Sequence, residues 1–165
     1  MNQESSIILL HGLFDWDTFD ILAERGVKDN VYVLEGRPTL VSSRRSCREL
    51  AKRGITPTLI ADNMAGFLFY KSRVQEVWLS YQATDENGAL CLTGSLILAV
   101  LAKRHRISVK AFPASENIKF MGRPKDLQYF NGKKVVASSV KTYAPLVETV
   151  SKEYLSVVQP AFKYL

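Results

Sequence analysis

Along this chain, apolar runs repeatedly give out at a polar side chain: His11 after SIILL, Glu35 and Arg37 after NVYVL, Asp62 and Asn63 after TPTLIA, and Gln82 after VQEVWLSY. The residue types suit a ligand that carries both hydroxyls and negative charge. A guanidinium binds phosphate, an amide hydrogen-bonds a hydroxyl, and an imidazole or carboxylate can move a proton near neutral pH if its surroundings tune it. His11, Asp62 and Asp85 are the candidates for proton transfer. The ligand-binding set is Glu35, Arg37, Arg44, Asp62, Asn63 and Gln82, with Asn87 and Gly88 in the turn after Asp85. Neither GxGxxG nor GxxxxGK[ST] occurs, so a phosphate would be held at a helix N-terminus after Val41 or Asp62 rather than by a glycine-rich loop.

The elements that must position these residues alternate in type. Strands are expected at 6–10, 30–36, 56–62, 74–82 and 108–114, with a sixth at 133–139. Helix-period segments separate them: TFDILAERG capped by Asp15 or Asp17, residues 42–54 capped by Ser42, MAGFLFYKSR capped by Asp62 or Asn63, and residues 92–105. A last short helix is expected at 151–158. Buried strands joined through helices predict an α/β fold with a doubly wound, mainly parallel sheet of about six strands and helices on both faces. In such sheets ligands sit at the carboxyl ends of the strands, and His11, Gly12, Glu35, Arg37, Asp62, Asn63 and Gln82 all fall there.

Composition narrows the class further. The 165 residues, 47% of them hydrophobic, suit a single domain with a real core. No apolar run is long enough for a bilayer, and MNQESS lacks the basic flank of a secretory signal, so a cytoplasmic protein without membrane association is expected. Cys47 and Cys91 are far apart with no CxxC spacing, and read as reduced, half-buried thiols rather than metal ligands; no cofactor is implied. A formal charge of +6 makes anionic partners plausible, although its dense spots at 44–53 and 103–106 also read as solvated helix ends.

Three segments in order, EGRPTLVSSRRSCREL (35–50), TLIADNMAGFLF (58–69) and VWLSYQATDENGALCLTGSLILAVLAKRH (77–105), resemble a known family. It is the carboxyl-terminal domain shared by methylthioribose-1-phosphate isomerase, ribose-1,5-bisphosphate isomerase and the alpha, beta and delta subunits of translation initiation factor 2B. YAPLVETVSKEYLSVV (143–158) is similar to the closing motif of that family. The resemblance covers the chain from Ser6 onward and implies a Rossmann-like domain that forms a homodimer or larger homo-oligomer. The enzymes of the family interconvert an aldose 1-phosphate and its ketose with a Cys after T-H and an Asp after G-A. Here the matching stretches are Leu10-His11-Gly12 and Ser80-Tyr81-Gln82, so Gly12 and Gln82 occupy the two catalytic positions. The pattern E-T-R-P-x-x-Q-G is matched by residues 35–42 with Val41 in place of Gln, the Lys of N-K-I-G is missing, and no segment resembles the helical amino-terminal domain of the enzymes, which leaves room for a separate partner subunit.

The resemblance together with these departures gives the first expectation: a non-catalytic module that forms homo-oligomers and binds a phosphorylated sugar or nucleotide. An aldose–ketose isomerase acting on a ribose 1-phosphate is the alternative. The positive charge supports a third reading, a nucleic-acid or ribosome-associated protein. Each site residue also has a structural role open to it. Asp62 is placed to cap a helix, Arg37 to pair with Glu35, Asp85 to Gly88 to form a turn, and Phe67, Phe69 and Tyr70 to serve the core or a subunit contact.

Overall fold

The structure is a computed structural model that describes residues 6–159; the stretch MNQES lies outside them. In chain order the elements are β1 (Ile7–His11), α1 (Trp16–Glu24), β2 (Val31–Leu34), α2 (Val41–Lys52), β3 (Pro57–Ile60), and a 3-10 turn (Asp62–Met64) leading into α3 (Ala65–Tyr70). After these come β4 (Val74–Thr84), β5 (Gly88–Leu92), α4 (Ser95–His105), β6 (Ser108–Pro113), α5 (Pro124–Gln128), β7 (Tyr129–Phe130), β8 (Lys133–Lys134), β9 (Val147–Ser151), a second 3-10 turn (Lys152–Tyr154) and β10 (Val157–Val158).

Six strands lie parallel in the order β3, β2, β1, β4, β6, β10. The order reverses between β1 and β4, where chain progress switches from one side of the sheet to the other, which makes their carboxyl ends the expected ligand position. All five residues of β1 are buried, as a central strand covered on both faces requires. Ile8 and Leu10 point to one face, packing with Phe19 and Leu22 of α1, Leu50 of α2, Trp78 and Phe112. Leu9 points to the other, where Ala65 and Phe69 of α3 and Leu98, Ala99 and Ala102 of α4 cover Val77 and Leu79. The expected fold class is therefore the observed one: a Rossmann-like, mainly parallel sheet between helices.

Several local expectations are corrected. Strand β4 runs on past Gln82 and turns back as the antiparallel β5, which pairs in turn with β9, so Ser151, expected to open a helix over 151–158, ends a strand and is followed only by a 3-10 turn. Residues 157–158 likewise form the edge strand β10, paired with β6. The segment 133–139 does not join the sheet; β8 pairs only with β7 in a small exposed ribbon. Pairing decides these cases, because a short apolar run carries no record of which backbone will lie beside it. Cys91 is fully buried rather than half-buried, and burial pushes its thiol up to about 12.

The caps differ as well. Asp15 does cap α1, its carboxylate accepting from Trp16 N–H at 2.7 Å. Helix α2 begins without Ser42 as its cap: the boundary residue is Leu40, held at φ 60° with no side-chain cap. Asp62 caps nothing in its own helix, because its carboxylate is used by the neighbouring turn.

Candidate active site

The turn from β2 into α2 organises the rim. Asp62, at the end of β3, accepts from Gly36 N–H at 2.9 Å and Arg37 N–H at 2.8 Å, one bond to each carboxylate oxygen. Leu40 N–H returns to the Gly36 carbonyl at 3.0 Å, and the Ser43 hydroxyl donates to the Glu35 carbonyl at 2.6 Å. Gly36 has φ 69°, and a Cβ there would lie 2.1 Å from the Ser42 hydroxyl oxygen, so only glycine lets the turn lie against the helix start. With the left-handed Leu40 it presents the uncapped N-terminus of α2 toward the rim, where the helix dipole favours an anion.

That N-terminus borders a cleft of about 310 Å³ between the ends of β1 and β2 and the segment that follows β6. Arg37, Lys119 and Arg123 line it together with Glu116, Asp126, Ser42 and Asn117, with Asp126 paired to Arg123, and Leu13, Val41, Leu92 and Leu146 add apolar surface. The size and the mixed lining are those of a small-molecule site. Glu35 stands one residue before the turn, half-buried, and its carboxylate makes no hydrogen bond or ion pair among the described residues. Burial raises its pKa and the nearby Asp62 adds to the effect, while Arg37 opposes it. A carboxyl shifted upward in this way is suited to carrying a proton.

His11 is sealed in the fold. Its Nε2 lies 2.9 Å from the Thr93 carbonyl, which can only accept, so Nε2 carries the proton and Nδ1 is left as an unpartnered acceptor. Burial lowers its pKa, with the Thr93 bond and the charges of Asp62 and Glu148 opposing, so the ring is neutral at physiological pH. Gly12 follows with φ 141°, and a Cβ at that position would lie 2.2 Å from the Ser80 hydroxyl oxygen and 2.7 Å from the Ser80 nitrogen. Ser80 also accepts from Leu13 N–H at 2.7 Å. The two positions have exchanged bulk relative to the motifs that the sequence resembles: Cys to Gly12 on β1, Gly to Ser80 on β4. The volume that a thiol-bearing carbon would need is filled from across the strand pair.

The remaining predicted residues divide between the rim and a separate turn. Gln82 sends its side-chain oxygen to Ile118 N–H at 2.8 Å, anchoring the segment that roofs the cleft. Arg44 is exposed on α2 and lines a second, outer groove. Asn63 is exposed in the 3-10 turn after β3. Asp85, Asn87 and Gly88 lie in the β4–β5 turn, where the Asp85 carboxylate accepts from Asn87 N–H at 2.8 Å and Gly88 N–H at 3.0 Å, and none of the three lines the cleft. Among the described residues no group of three or more His, Cys, Asp or Glu could hold a metal ion, and no helix is long and apolar enough to cross a membrane.

Two features escaped the sequence reading. Glu148 on β9 caps α4 from outside, accepting from Gly94 N–H at 2.7 Å and Leu96 N–H at 2.8 Å. Asn117, Lys119 and Arg123 line the cleft from a segment with neither a motif nor a dense charge run. The available signal was cumulative, since cations recur singly through that segment with almost no acid between them.

Residues 17–159 match the model of the initiation factor 2 subunit family. Methylthioribose-1-phosphate isomerase of Caldicellulosiruptor saccharolyticus is 32% identical over 145 residues, covering 81% of this chain and 42% of that protein. The Fervidobacterium nodosum protein of the same name is 29% identical over 152 residues, again covering 42% of its length. This chain thus spans well under half of the curated relatives it matches. Among solved structures, the delta subunit of translation initiation factor eIF-2B from A. fulgidus superposes with a TM-score of 0.81 at 21% identity, over 93% of this chain and 51% of that one. 5-Methylthioribose 1-phosphate isomerase from Pyrococcus horikoshii gives 0.79 at 22% identity, over 93% and 49%. These two likenesses establish the shared fold.

Proposed function

This chain belongs to the initiation factor 2 subunit family, and from that premise we propose that it is a sugar-phosphate protein of the isomerase branch, an aldose–ketose isomerase acting on a ribose 1-phosphate. The curated relatives named as isomerases favour this over the non-catalytic module expected from the sequence. The observation that carries it is the cleft itself, with Arg37 and Lys119 in its lining and the uncapped start of α2 at its edge; the unpartnered carboxylate of Glu35 is outside that lining and reaches it through the neighbouring Arg37.

Conversion of an aldose 1-phosphate to its ketose breaks the ring C1–O4 bond, moves the C2 hydrogen to C1, leaves the C2 oxygen as the ketone and places the C2 hydroxyl proton on O4, so it needs a group that takes up and returns a proton. Gln82 cannot do so, and Asp62 and Asp85 already accept backbone N–H groups. Glu35 is the group assigned to that step. Arg37 and the α2 N-terminus grip the phosphate with Lys119 and Arg123, while Asp62 and Gln82 hold the turn and the roof. Glu35→Gln is expected to lower turnover of methylthioribose 1-phosphate at least about 100-fold while keeping the ligand-induced rise in melting temperature. A wild-type protein stabilised by the ligand with no turnover would instead favour the binding module, a reading supported by Gly12 and the Ser80 hydroxyl that fills its pocket.

The same reading includes self-association. Leu59, Met64, Phe67, Tyr70, Ile97 and Val100 are exposed on β3, the 3-10 turn after it, α3 and α4, while Phe69 alone of the aromatic run is in the core. A second copy covering this face is the expected arrangement, to be checked by sedimentation of the wild type and Phe67→Glu.

A further inference from the structure

Between β6 and β9 the chain leaves the sheet. Ser115 and Glu116 are tied back to Arg45, and the chain returns at Ala144, whose carbonyl accepts from Gly122 N–H at 2.8 Å. Residues 117–143 hold six Lys or Arg and a single acid, Asp126, so they contribute a net +5 of the formal +6 on the whole chain. The dense spots at 44–53 and 103–106 are partly compensated within the fold: Arg48, Lys52 and Arg53 share Glu49, Arg53 also meets Asp20, Arg45 meets Glu116, and Lys103 pairs with Glu153. The excursion has no such compensation. Asp126 is already occupied by Arg123, which it meets at 2.8 Å while capping α5.

The aromatic residues of the excursion are equally unpartnered by the core. Phe120 is 67% exposed and Tyr143 78%, and Tyr129 and Phe130 of β7 are exposed as well. The outer groove, about 410 Å³, is lined by Arg37, Arg44, Lys125 and the Arg123–Asp126 pair together with Tyr129 and Phe130. The Arg37 guanidinium stacks 4.6 Å above the Phe130 ring. Arg37, Arg44 and Lys125 make no ion pair with a carboxylate among the described residues, and β8 sets Lys133 and Lys134 directly opposite Phe130 and Tyr129. A solvated charge run would need no aromatics. An apolar subunit contact would not be set among five or more uncompensated cations.

We propose that the outer groove and the β7–β8 ribbon bind single-stranded nucleic acid, with Arg44, Lys125, Lys133 and Lys134 on phosphates and Phe130 and Tyr129 as stacking surfaces for bases. Positive grooves with interleaved aromatics bind strands in this way without needing a sequence motif. A strand fits better than a lone mononucleotide, because the cations and aromatic rings continue along the ribbon beyond the groove. The residues proposed to bind the strand are distinct from those assigned to the chemistry of the inner cleft, although the two depressions share Arg37 and Arg123 in their linings.

The test is fluorescence anisotropy of a labelled 12-nucleotide RNA with the full chain, titrated at low and moderate salt, and with AMP and ribose 5-phosphate as competitors. For four phosphate contacts, affinity is expected to fall about 50-fold between about 50 and 200 mM salt. Phe130→Ala should weaken binding about tenfold, and the triple variant Lys125→Gln, Lys133→Gln, Lys134→Gln should remove most of it and flatten the salt dependence. Both variants alter exposed side chains, so an unchanged melting temperature and oligomeric state are part of the expected result. The proposal is overturned by no binding at micromolar protein, by binding that neither variant weakens, or by binding that Phe130→Ala leaves intact. It is equally overturned by full displacement of the strand by stoichiometric AMP, or by a variant that loses RNA only because it changes oligomeric state.

Discussion

In the sheet, Phe14, Phe19, Trp78 and Phe112 are sealed against one another, with the Trp78 and Phe112 rings 4.4 Å apart. In the excursion, Phe120, Tyr129, Phe130 and Tyr143 stand in solvent among lysines and arginines. The first set contributes to stability by leaving water. The second contributes little to it, and its placement is better explained by a ligand. The contrast extends to charge: the half-buried Glu76 of β4 is met by Arg25, Trp78 and Lys110, whereas in the outer groove Asp126 pairs with Arg123 and leaves Arg37, Arg44 and Lys125 without an ion pair among the described residues. Within one chain, the part that folds and the part that presents function use the same residue types under different rules.

The comparison is broken most severely by removing a sealed ring. Trp78→Ala is expected to lower stability by about 3–5 kcal/mol in urea unfolding, whereas Tyr143→Ala, for all its aromatic area, should leave the transition midpoint where it was. Next in size is the exchanged pair at the switch point. Gly12→Cys forces a Cβ into Ser80 at a left-handed φ and should cost about 2–5 kcal/mol. Adding Ser80→Gly should recover part of that loss, read as a non-additive double-mutant cycle. Strict additivity would show that the two side chains do not compete for the same space.

Smaller effects sharpen the contrast. Burial alone would raise the Glu76 carboxyl, but hydrogen bonds from Arg25, Trp78 and Lys110 outweigh it and bring the pKa from 4.5 down to about 2. A carboxyl depressed in the folded state stabilises above its unfolded pKa, so this contribution is intact above about pH 4.5 and is lost as the pH falls toward about 2. After allowance for solvent screening it amounts to about 1–2 kcal/mol, and Glu76→Gln should flatten the acid limb of the stability profile between those limits. Gln82→Ala removes the acceptor of Ile118 N–H and should cost about 1 kcal/mol. Its clearer signature would be faster amide exchange and proteolysis within residues 117–143, with the sheet unchanged.

How much of this was legible in the residues differs between the two regions. The parallel core could be read because SIILL, NVYVL and VQEVWLSY, though short, alternate with capped helix-period segments, and that alternation identifies them as strands of a sheet covered on both faces. Strands β5, β9 and β10 could not, since five apolar residues or fewer are compatible with helix, strand or turn until a neighbouring edge selects one. The rim residues were legible as a set, because strand ends recur with the fold period. Their individual roles were not: Asp62 looked like a helix cap and instead holds the backbone of the β2–α2 turn.

What the sequence determined by itself was the fold class, the family resemblance and the position of the rim, all of which follow from local patterning and the order of motifs. Tertiary structure alone decided which polar groups are occupied and which are free. It set Glu35 without a partner while engaging Asp62 and Gln82, gave the space beside Gly12 to Ser80, and gathered scattered cations into one groove beside Phe130. The physical reason is that hydrogen-bond satisfaction and excluded volume are pairwise properties of residues brought together by folding, in these cases across 25 to 90 positions of chain, and no local window of sequence contains both members of such a pair.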